Sequence, residues 1–154
     1  MKRRTPAGTW AMSVVVVAGV LFAGASLSAT TILSETFEGN FPTDNGWSVG
    51  DANSGGTTAY WDDVDSSFGG EGTHGGSWKG YCAGVGYGGT TTSPLHQNSM
   101  TAYMSKSINL SGYSTATLTF SFRIPTLEST WDWCRVYIDG TKVWETNSIA
   151  TTWT

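Results

Sequence analysis

Two histidines, a short run of aspartates and an abundance of tryptophan are the residues of this 154-residue chain that could do chemistry. His74 stands in GTHGGSW, three residues before Ser77, and His96 stands in SPLHQNS, so each belongs to a glycine- or serine-rich loop. A serine hydrolase needs a base oriented by a third, acidic group, and no buried acid can be assigned to either histidine from the sequence. HExxH zinc motifs, GxSxG elbows and phosphate-cradling glycine loops are absent. The expectation is a pair of loop histidines in a chain with no hydrolytic activity of its own.

Asp62, Asp63 and Asp65 in WDDVDSSFGG offer closely spaced hard oxygen ligands of the kind calcium requires. The EF-hand order is missing, so a calcium loop and a solvated acidic loop both stay open. Glycoside hydrolysis needs two acids across a cleft, whereas the adjacent Asp62 and Asp63 would face opposite sides of a strand. The Glu-x-Asp-x-x-Glu motif of concanavalin-like glucanases is also lacking. Seven of the eight tryptophans lie beyond residue 29. Trp131 and Trp133 in WDWC would share one strand face, which makes them a candidate platform for stacking a sugar ring, although sandwich cores absorb tryptophan equally well.

The elements that must position these residues begin after a leader. Lys2, Arg3 and Arg4 precede an apolar run from Ala11 to Ala25 that contains Val14 to Val17. Charged start, short apolar stretch and small residues at Ala23-Gly24-Ala25 and Leu27-Ser28-Ala29 describe a secretory signal peptide, cut after Ala25 or, preferably, Ala29. A spanning helix needs about 20 apolar residues, so no stable membrane insertion is expected after cleavage. The chain thus divides into a signal peptide, 1–29, and a module, 30–154, that is secreted or displayed at the cell surface.

Removing the leader takes away three basic residues and moves the formal charge from −4 to −7, with five Lys and Arg against twelve Asp and Glu. Nucleic-acid binding needs a basic stripe that displaces phosphate counterions. The remaining cations are single and scattered, and that class is set aside. The low charge, 13%, and the abundance of Gly, Ser, Thr and aromatics match an all-β secreted domain. Cys82 and Cys134 both follow the leader, so an oxidising compartment makes a disulfide the default, worth roughly 4 kcal/mol on the chain-entropy model. Two buried thiols are the alternative.

TILSETFE alternates so that Leu33, Glu35 and Phe37 share a face. A long loop around an anchoring Trp47 follows, then a short strand over Thr57–Asp63 and a glycine-weakened strand in SWKGYCAGV. TAYMSKSI alternates, and TATLTFSFRI alternates with Ala116, Leu118, Phe120, Phe122 and Ile124 on one face. WDWCRVYIDGTKVWE predicts two strands joined at Asp139-Gly140, since a two-residue hairpin turn needs positive φ at both positions. Strands at this spacing predict an antiparallel β-sandwich. Trp153 in TTWT reads as the first apolar residue of a further strand, so the sandwich is expected to lack its last strands.

The order ETFEGNFPTDNGW, AYWDDVDSSFGG, GGSWKGYCAG, MTAYMSKSINLSGYSTATLTFSF and CRVYIDGTKVWE resembles the jelly-roll modules of secreted bacterial proteins. These are the modules of immune inhibitor A-type metallopeptidases, some secreted subtilisin-like proteases and cleaved adhesins, and their layout is similar to the MAM domains of animal cell-surface proteins. The resemblance spans residues 31–154. It implies a concanavalin A-like jelly roll and a structural calcium ion near Glu38, the acid of the Phe-Glu pair. It further implies a non-catalytic part in adhesion or in binding an extracellular protein or glycan, or an accessory part in a secreted peptidase.

Overall fold

Alternation builds most of the strands. The computed structural model describes residues 11–19, 29–53, 58–86, 99–128 and 130–154. Nine strands occur among them: β1 (Ala11–Gly19), β2 (Thr30–Glu35), β3 (Ser48–Asp51), β4 (Tyr60–Asp65), β5 (Trp78–Val85), β6 (Ala102–Ser105), β7 (Thr115–Arg123), β8 (Cys134–Ile138) and β9 (Thr141–Thr146). A single 3-10 turn, Phe68–Gly70, is the one helical element described. The chain is all-β, and every strand pairing is antiparallel.

In β2 and just beyond it, Leu33, Glu35 and Phe37 are all buried, as the period-2 pattern requires. Along β7 and one residue beyond it the apolar face is buried progressively, from exposed Ala116 through half-buried Leu118, Phe120 and Phe122 to fully buried Ile124. The β8–β9 hairpin turns at Asp139 (φ 48°) and Gly140 (φ 76°), with Ile138 paired to Thr141. Both turn residues have the positive φ that a type I′ turn demands.

Three sheets result. The largest joins β2, β1, β5 and β4, with β7 paired to the other edge of β1; β3 pairs with β6, and β8 with β9. The strand β3 falls inside the stretch read from sequence as loop. Its four residues are too few to show alternation, and turn residues flank them on both sides. The apolar run assigned to the leader supplies β1, a β-branched segment suited to an extended backbone. Residues 1–10 and 20–28 of the segment read as a leader lie outside the described residues, as does His96. No helix among the described residues is long and apolar enough to cross a membrane.

Phe37, Phe41, Trp61, Val64, Tyr81 and Ile124 form the main core, and Leu33 seeds a smaller one with Leu118 and Phe120 packed against it. β5 runs through the middle and is buried on both faces from Lys79 to Ala83. Its glycines permit this. A Cβ on Gly80 would stand 2.8 Å from the Phe37 ring, and one on Gly84 would stand 2.8 Å from the Asp62 Cβ.

The expected disulfide is not there. Cys82, buried in β5, and Cys134, at the start of β8, are thiols not joined to each other. A disulfide tolerates only a narrow range of separations and side-chain directions, and the fold does not bring these two together within it. Burial pushes the Cys134 thiol up to about 12, so it stays protonated as a small apolar side chain.

Candidate functional site

Phe37, two residues past the end of β2, has φ 57°, a left-handed backbone that an aromatic residue rarely adopts. Its amide donates to Glu35 Oε1 at 2.8 Å and its ring is fully buried, so the surrounding structure holds the turn in place. The turn carries the next residue, Glu38, to the Gly75–Gly76 loop. There both carboxylate oxygens accept from the Ser77 amide, at 3.2 and 3.1 Å. Gly76, with φ 66°, has no Cβ to collide with that carboxylate.

Around this junction opens a cleft of about 380 Å3 with Glu38, His74, Trp78 and Trp153 in its walls. Trp78 enters from the start of β5, with its indole laid against Gly39, where a Cβ would meet the ring at 3.4 Å. Trp153 comes from the chain's last residues, held by a reciprocal pair of backbone bonds between Phe122 and Thr154, both 3.1 Å. The His74 ring meets Trp153 edge-on at 5.6 Å, and its Nε2 lies 3.3 Å from the Ser121 hydroxyl. The Trp153 indole N–H is buried without an acceptor. An unmet donor in the wall of a cleft is unusual, because buried polar groups are nearly always paired.

Two buried polar clusters brace the cleft. Glu35 lies at the bottom of β2, fully buried, and accepts from the Phe37 amide, Asn45 Nδ2 at 2.9 Å and Trp47 Nε1 at 2.8 Å. This fixes the long loop by its tryptophan. Lys79, also buried, donates to the Phe68 carbonyl at 2.5 Å and pairs with Glu71 at 3.2 Å. Burial pulls the Lys79 ammonium below the usual lysine range, and Glu71 acts against that. Arg123 ties the same loop to β7 through the Glu71 carbonyl.

The acids singled out from sequence are spread over separate jobs. Asp63 accepts from the Phe41 amide at 2.9 Å, and Asp65 from the Ser67 amide and hydroxyl at 2.7 and 2.5 Å, which lowers its pKa. Asp62, pressed against the β5 backbone at Gly84, has its pKa raised, mainly by burial. No group of three or more His, Cys, Asp or Glu among the described residues is gathered so as to hold a metal ion. Glu38 is held by the Ser77 amide, whereas Asp63 and Asp65 serve the Phe41 and Ser67 amides.

Trp131 and Trp133 precede β8 rather than forming part of it. Trp131 is 78% exposed, while the Arg135 guanidinium lies 5.1 Å over the Trp133 ring and covers one of its faces. Neither borders the cleft. The cleft's own tryptophans, Trp78 and Trp153, were readable from sequence only as strand residues, because their convergence depends on long-range pairing. No family model, curated protein or solved structure matches the chain.

Proposed function

We propose that the chain is an exported, non-catalytic glycan-binding module whose cleft takes a single neutral sugar ring. The observation that carries this reading is the convergence of two indoles, Trp78 and Trp153, with the polar side chains Glu38 and His74 in one concave site. Apolar ring faces pack on indoles, while sugar hydroxyls donate to the Glu38 carboxylate. The leader-like N-terminus supports export, to the medium or the cell surface. The likeness of the strand order to jelly-roll modules of secreted peptidases, adhesins and MAM-type proteins supports a binding role. Structural calcium near Glu38 belongs to that same likeness and is a separate proposal.

The Ser121–His74 contact favours one second reading, a hydrolase with a serine nucleophile. A panel of neutral oligosaccharides, followed by intrinsic tryptophan fluorescence and calorimetry, separates the two. The binding module shows saturable quenching with no product, and Trp78→Ala or Trp153→Ala weakens affinity roughly tenfold while Trp131→Ala leaves it unchanged. Turnover abolished by Ser121→Ala would establish the hydrolase, and binding indifferent to both cleft tryptophans would move the site elsewhere.

A further inference from the structure

β1 is the element that makes one sheet of the largest group of strands. Along one edge it pairs with β7 over nine residues, Ala11↔Arg123 to Gly19↔Thr115. Along the other it pairs with β2 from Val14 to Ala18 and with β5 at Ala11 and Met12. Among the described strands, β7 has no other strand partner, and β2 and β5 meet in this sheet only through β1. Without it, β7 and β2 would face each other across a gap of roughly 10 Å, the width of one missing strand.

The strand that fills this gap is the apolar core of the leader. Both cleavage positions, Ala25 and Ala29, fall in the connection between Gly19 and Thr30, and Ala29 is exposed. A cut there severs β1 from the module without breaking any described strand. We propose that the gap between β2 and β7 is a strand-acceptor site which, once the leader is cut away, receives an extended, uncharged, β-branched segment of another polypeptide.

The occupant's chemistry follows from the site. Its two rims are backbone edges, so only a polypeptide in the extended conformation meets both ladders, and it must run antiparallel to each. The segment seated there, AMSVVVVAG, has no charge in nine residues and four successive valines. A second copy of the module is disfavoured as donor, because two bodies each carrying −7 repel one another. An empty slot would leave two long edges open, a state that proteins avoid.

The test uses the full-length chain and hydrogen exchange, with a fluorescent AMSVVVVAG peptide as probe. In the unmodified chain the amides of 11–19 and of β7 are protected together, and added peptide does not bind. Val15→Pro with Val17→Pro removes ladder donors, speeds exchange along β7 roughly a hundredfold, and lets the peptide bind and restore protection. A peptide with aspartate at the same two valines does neither. The proposal is overturned if 11–19 exchange freely in the unmodified chain while β7 stays protected. It is equally overturned if the folded double variant ignores the peptide, or recovers β7 protection only by dimerising. Should the double variant unfold, the exchange pattern of the unmodified chain decides alone.

Discussion

Glu35 shows what a single residue contributes to this fold. A carboxylate on the apolar face of β2 would be costly by itself, but here it is the acceptor for the Phe37 amide, Asn45 and Trp47, and so locks the turn that delivers Glu38. Glu35→Ala strands those donors in the interior, so a loss of about 3 kcal/mol is expected in urea unfolding. Asp62 has the opposite sign. Its folded pKa is raised above 3.8 by burial, so the unfolded chain binds fewer protons and stability falls as pH rises from 3.8 through the folded value. Asp62→Asn removes the charge that is disfavoured, and is expected to melt higher than the parent at pH 7. The two proteins converge below pH 3.8, where both side chains are neutral, and melting curves across that range check it.

At the scale of elements, β5 is where glycine looked like a weakness and proves to be a requirement. Gly80→Ala forces a Cβ against the Phe37 ring, which is wholly buried and held at positive φ, so it cannot retreat. Overpacking of this kind costs about 1–3 kcal/mol, whereas Gly75→Ala, with open space at its Cβ and no positive φ, is expected to be neutral; denaturant midpoints compare them. The legibility of the other elements follows the same physics. β2, β7 and the β8–β9 hairpin were readable because alternation and the Asp139-Gly140 turn are local signals. β3 was not, since four residues between turns carry no period. Glu35 could be placed on the core face by its spacing from Leu33 and Phe37, yet its role needed Asn45 and Trp47 from the following loop. The cleft was invisible for a related reason: Trp78 and Trp153 stand 75 positions apart and meet only through the sheet. The disulfide was misjudged because cysteine count and compartment say nothing about the separation at which the fold sets two cysteines.

For the whole molecule the governing quantity is charge. Beyond residue 29 the chain carries twelve acids against five Lys and Arg, and the buried Lys79 is already paired with Glu71, which leaves still fewer cations to meet a ligand. The cleft itself presents a carboxylate, Glu38, next to its indoles. A polysaccharide rich in uronic acid or sulfate would therefore approach a surface of its own sign, and the repulsion acts over about 10 Å at 0.1 M salt. Neutral glycans feel none of this. Binding of a neutral oligosaccharide is expected to be almost independent of ionic strength, while an acidic oligosaccharide with the same backbone binds more weakly at low salt and recovers part of the difference as salt rises. Calorimetric titrations of the two ligands over a salt series read this directly. An acidic ligand that binds more tightly than its neutral counterpart, and loses affinity as salt is added, would mean that a basic contact dominates recognition and that the neutral-sugar cleft is not the binding site.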